Sequence, residues 1–144
     1  MPQEEISPER FSRAIKELVQ DDSVIACYLY GSYARGEETP LSDLDFAILW
    51  EEEGSLEARK RNLLRLSQKL SRRFNLDVDV RSLNEASLEL QYRVVCEGKV
   101  VFCNDKSRRL EFEDRVVMEF LDFKPMIAVY NQYMHKRIEE TGKL

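Results

Sequence analysis

Two carboxylates, Asp43 and Asp45, stand two residues apart where an apolar run begins, Leu44-Asp45-Phe46-Ala47-Ile48-Leu49-Trp50. Residues two apart on a strand project from the same face, about 6–7 Å apart along the chain. Like charges held on one face repel unless a cation joins them. An all-oxygen pair suits Mg²⁺, which takes a few carboxylates and leaves its other positions to water and phosphate. Upstream, Gly31-Ser32 breaks a first apolar run, Val24 to Tyr30. Backbone N–H groups and a hydroxyl at a helix start form a ready anion site. A phosphate cradle beside a metal pair is the layout of metal-assisted phosphoryl or nucleotidyl transfer.

The elements that must position these groups follow from periodicity. Ser7-Pro8-Glu9 reads as a helix start, with a hydroxyl at the N-cap, Pro in the first turn and an acid after it. Phe11, Ala14, Ile15, Leu18 and Val19 make one face of that helix, and Asp21-Asp22-Ser23 ends it. Val24–Tyr30 is apolar on both faces and predicts a central strand. A short helical turn follows near Ser32, holding Ala34 and Arg35, and Gly36 and Pro40 mark a loop. The second strand is Leu44–Trp50, closed by the solvated acidic loop Glu51-Glu52-Glu53-Gly54.

Ser55 caps a long helix to about Phe74, with Leu56, Leu63, Leu66, Leu70 and Phe74 as its stripe. Its other face is basic and reads as a solvated surface. Asn75 to Arg81 alternates strictly as a third strand, with Leu76, Val78 and Val80 on one side and Asp77, Asp79 and Arg81 on the other. Aspartate is a poor strand residue. Either this is an edge strand facing water, or its acids arrive beside Asp43 and Asp45 on a neighbouring strand. Periodicity does not choose between Asp77 and Asp79.

Ala86 to Glu97 reads as a helix stopped by Gly98, and Lys99–Cys103 as a fourth strand. Asn104-Asp105 caps another helix, and Pro125 starts a last one; together they span about 106–140. His135, the only histidine, reads as a surface residue. Strands and helices interleave, which predicts an α/β or α+β domain: a sheet of about four strands flanked by helices.

The 144 residues fit one domain, 1–144, with a real core. A net charge of −5 argues against a broad electrostatic footprint for DNA or RNA. Cys27, Cys96 and Cys103 are an odd set without metal spacing, and read as reduced thiols of a cytoplasmic protein. No apolar run approaches transmembrane length, and the acidic amino terminus has no signal-peptide character.

Gly31-Ser32, ten residues, then Asp43-Leu44-Asp45 is similar to the G-S-x10-D-x-D signature of the DNA polymerase β-like nucleotidyltransferase superfamily. Gly31–Gly36 and Ser42–Asp45 resemble the minimal nucleotidyltransferases in particular. So do Asp79-Val80-Arg81-Ser82-Leu83-Asn84-Glu85-Ala86 and Glu97–Phe102. Glu111-Phe112-Glu113 and Phe120-Leu121-Asp122-Phe123 resemble the MntA-type antitoxins of bacterial HEPN/MNT toxin–antitoxin pairs.

The resemblance implies a mixed sheet, two Mg²⁺ ions and transfer of AMP from ATP. It maps the metal carboxylates onto Asp43, Asp45 and Asp79, and so selects Asp79 over Asp77. It also implies a triphosphate close to the Gly31 backbone, a terminal phosphate at Ser32, and a HEPN-family toxin whose tyrosine receives AMP. Asp79 would also take the proton of the attacking hydroxyl. Arg35 either neutralises phosphate or pairs with Glu37 or Glu38. Many relatives have an apolar residue where Arg81 stands.

Rival readings are a non-catalytic antitoxin that neutralises by contact, a drug adenylyltransferase, and an RNA-modifying transferase. The clustered carboxylates count against the first. The short chain counts against the second, and the acidic balance against the third. The apolar and aromatic residues Phe120, Phe123, Met126, Tyr130, Tyr133 and Met134 either face a partner or cover the sheet.

Overall fold

The computed structural model describes residues 8–19, 23–51 and 54–141. Ser7, Asp21-Asp22 and Glu52-Glu53, named above for a helix start, a helix end and an acidic loop, lie outside them, as does the side chain of Leu18. The elements run α1 (Pro8–Leu18), β1 (Val24–Tyr30), α2 (Ser32–Arg35), β2 (Leu44–Trp50) and α3 (Leu56–Phe74). Then come β3 (Val78–Ser82), α4 (Leu88–Glu97), β4 (Lys99–Cys103) and α5 (Lys106–Thr141).

The strands form one mixed sheet in the order β3-β2-β1-β4. β1 is antiparallel to both β2 and β4, and β2 is parallel to β3. A parallel pair needs a crossover, and α3 supplies it. All seven residues of β1 are buried, as its two-sided apolar sequence predicts.

Alternation splits β2 between two cores. Leu44, Phe46, Ile48 and Trp50 join Phe11 and Ile15 of α1 and Leu66 and Leu70 of α3. Ala47 and Leu49 join Tyr28, Val94 of α4, and Phe112 and Val116 of α5 on the opposite face. Asp45 shares the phase of Ala47 and Leu49, so it belongs to the face that α4 and α5 only partly cover. Leu56, expected in the α3 stripe, is instead exposed at its first turn.

Local capping sets the ends. The Ser55 side chain accepts from Ala58 N–H, and Ser87 accepts from Leu90 N–H. Asn84 clamps the end of β2: its Oδ1 accepts from Trp50 N–H at 2.8 Å and its Nδ2 donates to the Trp50 carbonyl at 2.9 Å. Asn75 takes the left-handed cap of α3, φ 52°, so β3 begins at Val78, three residues later than the alternation suggested.

The two expected carboxy-terminal helices are one. α5 runs 36 residues, with Pro125 inside it. Proline removes one i→i−4 hydrogen bond and crowds the carbonyl before it. That is a local fault, and helix-forming residues on both sides carry the helix through it. At 1.5 Å per residue α5 is about 54 Å long. Asp105 caps its start, with Oδ1 accepting from Arg108 N–H. Tyr28 O–H donates to Glu113 Oε1 at 2.8 Å, and Arg109 Nη1 donates to the same oxygen at 2.9 Å. This network ties the first half of α5 to β1. Beyond Phe120, which stacks on Tyr92 at 3.9 Å between centroids, the helix side chains are mostly exposed.

Candidate active site

The two strand registers bring the sequence's acids together. Asp45 lies opposite Tyr30 across the antiparallel pair and beside Asp79 across the parallel one. Neighbouring strands are about 4.8 Å apart, so Asp45 and Asp79 are adjacent on one face. Asp43, one residue before β2, is exposed, yet its charge is felt at Asp45. Burial, then the charges of Asp79 and Asp43, push the Asp45 carboxyl up from its ordinary value; Arg81 and Arg35 oppose them. Tyr30 is pushed up to about 12, first by burial and then by Asp45.

Asp77 is elsewhere. Its carbonyl accepts from Leu44 N–H at 2.9 Å, which starts the β2–β3 ladder. Its side chain is exposed, in a crevice beside Ser67, Ser71 and Arg72. Asp77 precedes the strand, so the alternation that paired it with Asp79 does not extend to it.

Gly31 takes φ 77°, ψ −156°, a conformation that is essentially glycine's alone. It precedes Ser32, the half-buried first residue of α2. Arg35 is exposed and pairs with Glu37 at 3.1 Å and Glu97 at 3.8 Å. The Glu37 pair is one of the alternatives that the sequence leaves open for Arg35; Glu97, from the end of α4, has no signal near it in the chain. His135 is a surface residue near Glu139.

Arg81 is the residue whose part the sequence left open. Its Nε donates to Asp79 Oδ2 at 2.8 Å. The signal was present in the pattern, because Arg81 and Asp79 are two apart on one strand face.

Among the described residues, no group of three or more His, Cys, Asp or Glu side chains could hold a metal ion as it stands. The donor chemistry nonetheless fits a hard divalent cation: only oxygen ligands, on or next to adjacent strands, with Gly31 leaving room for the Asp45 carboxylate against its backbone. One Asp79 oxygen is already engaged by Arg81.

The described helices include none long and apolar enough to cross a membrane. Among curated proteins the chain is similar to the protein adenylyltransferase MntA of Shewanella oneidensis, 39% identical over 72 residues. That match covers 50% of this chain and 49% of the relative, so the chain spans about half the length of that protein. Among solved structures it resembles a toxin–antitoxin with AMP-PNP, at TM-score 0.69 and 26% identity, covering 85% of this chain and 98% of the other. A tri-AMPylated Shewanella oneidensis HEPN toxin in complex with MNT antitoxin shares the fold at TM-score 0.66 and 23% identity, covering 89% and 99%. The family described as "Polymerase beta, Nucleotidyltransferase" matches residues 13–107, a span that holds Gly31, Ser32, Asp43, Asp45 and Asp79 and stops as α5 begins. The chain belongs to the polymerase beta nucleotidyltransferase family.

Proposed function

We propose that this chain is an MntA-type antitoxin of the cytoplasm that transfers AMP from ATP, with Mg²⁺, to a tyrosine hydroxyl of a cognate HEPN-family ribonuclease toxin. The observation that carries the reading is the register that sets Asp45 beside Asp79, with the Asp45 carboxylate packed against the Gly31 backbone. Family membership and the named relatives supply the nucleotide and the protein acceptor.

Asp43, Asp45 and Asp79 are the groups that would hold Mg²⁺. When bound, it neutralises charge on the α-phosphate and the leaving pyrophosphate. The Gly31 backbone and Ser32 hydroxyl receive the triphosphate from the β1 side. Arg35 neutralises phosphate by exchanging an exposed ion pair for it, and such pairs contribute only about 0–1 kcal/mol. Asp79, on the edge strand, accepts the proton of the attacking hydroxyl. The hydroxyl oxygen bonds to the α-phosphorus, and the bond from that phosphorus to the pyrophosphate oxygen breaks. AMP on the toxin's tyrosine adds charge and bulk beside its RNA site.

The exposed half of α5 serves as the partner surface. Phe120, Phe123, Ile127, Tyr130 and Met134 recur at three- and four-residue spacing, which makes one helical seam. Phe123, Met126, Tyr130 and Tyr133 are each about half exposed or more.

The test is the intact mass of the purified toxin after incubation with this chain, ATP and Mg²⁺. The expected result is addition in steps of one AMP. The exposed seam of α5 favours a second reading, neutralisation by contact alone. RNase inhibition without ATP and without any mass change would establish that reading instead.

A further inference from the structure

The acidic site contains its own cation. Arg81 and Asp79 are two apart on β3, on the same face, and the guanidinium Nε donates to Asp79 Oδ2 at 2.8 Å. Asp79 is in register with Asp45, so the guanidinium stands at the edge of the carboxylate cluster. Its charge is felt at Asp45 and at Tyr30 as well. The other arginine with influence at Asp45 is Arg35, which is engaged by Glu37 and Glu97. Arg81 is therefore the cation that directly holds one of the three acids.

The pair can open cheaply. Its side chains are 59% and 48% exposed, and ion pairs that wet contribute little. Arg81 also has somewhere to go: it lines a groove along the open edge of β3, with Leu56, Lys60, Leu63 and Leu90.

We infer that Arg81 is a built-in counter-ion, which occupies Asp79 in the nucleotide-free protein and yields it to a divalent cation when the metal–nucleotide complex arrives. The inference rests on the proposed metal site and adds its regulation. A guanidinium and a divalent ion compete for one carboxylate oxygen and repel each other. Metal alone must displace Arg81 unaided. A metal–triphosphate brings phosphate oxygens that offset that repulsion. The consequence is ordered loading: the protein holds divalent ions poorly until nucleotide is present, and linkage makes nucleotide affinity rise with the metal by the same factor.

The probe is Mn²⁺ in place of Mg²⁺, with free Mn²⁺ read by electron paramagnetic resonance, on the full chain with and without a non-hydrolysable ATP analogue. Circular dichroism checks that each variant is folded. The parent is expected to bind Mn²⁺ weakly without nucleotide. Arg81→Met should bind it about tenfold more tightly, the size expected for one unit charge acting on a divalent ion a few ångströms away in a wet site. Arg81→Lys, which keeps the charge, should stay close to the parent. With the analogue present, parent and Arg81→Met should converge.

Nucleotide-dependent Mn²⁺ binding in the parent, with nucleotide-free affinity unchanged or weaker in Arg81→Met, overturns the inference and leaves the metal site standing. Arg81→Lys behaving like Arg81→Met also overturns it, since charge would not be the agent. No Mn²⁺ binding by any variant, with or without the analogue, overturns the metal site and the inference together.

Discussion

A Cβ placed on Gly31 would lie 2.5 Å from Asp45 Oδ2, so the glycine and the aspartate occupy what is sterically one site. Gly31 also has φ 77° with an extended ψ, where an L side chain costs about 1–3 kcal/mol. Gly31→Ala should therefore destabilise the protein by about that much and abolish nucleotide transfer. Part of the loss is the clash itself. In an Asp45→Ala background the cost of Gly31→Ala should shrink, because the carboxylate it strikes is gone. Urea denaturation of the four proteins of this cycle measures the coupling; equal costs in both backgrounds would mean that the contact does not govern the position.

Asp43→Asn and Asp45→Asn should each remove Mg²⁺-dependent transfer of label from radiolabelled ATP without unfolding the protein. Transfer surviving both would sink the proposed role. Asp45→Asn should in addition raise the melting temperature of the metal-free protein at pH 7. The Asp45 carboxyl is raised from its ordinary value by burial and by Asp79 and Asp43. Its protonated form thus favours the folded state below the ordinary carboxylate pKa, and that contribution is lost as pH rises through the raised folded value. The advantage of the variant should grow across this acid window and be flat above it. A melting-temperature difference independent of pH would contradict the electrostatic origin.

Asp79→Asn should lose transfer, and Asp77→Asn should keep most of it. Asp79 is in register with Asp45, whereas the Asp77 side chain lies in the crevice beside Ser71 and Arg72. Initial rates at saturating ATP decide the order. The reverse ranking would place the third carboxylate one pleat earlier than the ladder indicates.

Tyr130→Asp with Tyr133→Asp should weaken binding to the HEPN-family toxin at least tenfold, by calorimetry of the purified pair. Both tyrosines are about 60% exposed, and substitutions at such positions usually change stability by no more than about 0.5 kcal/mol. The melting temperature should therefore hold. Unchanged affinity with an unchanged melting temperature would remove α5 from the interface.

Much of the site was legible because it is local. Asp43 and Asp45 are two residues apart, Gly31-Ser32 breaks an apolar run, and Leu44–Trp50 is long and apolar enough to be a strand. Such signals depend only on spacing and on the twofold repeat of an extended chain. The same locality explains Ser55 and Asp105 as caps. It also explains the misreading at Pro125: proline is a strong local break signal, and a long helix absorbed it.

Whatever depended on which strand lies beside which was decided in three dimensions. Asp77 and Asp79 have the same phase in the sequence. The left-handed cap at Asn75 delays β3 to Val78, and the Leu44–Asp77 backbone bond then sets Asp79 beside Asp45. Arg35 has Glu37 nearby in the chain, but Glu97 reaches it only because α4 folds back over the sheet. Gly31 reads in the sequence as room for phosphate; the antiparallel β1–β2 register makes it room for Asp45 as well. Composition and spacing determined which groups are the candidates for the chemistry, since those are properties of neighbours along the chain. Hydrogen-bond register determined which of them meet, since register is settled by which faces are buried together and by how the strands are connected, and not by the spacing within one strand.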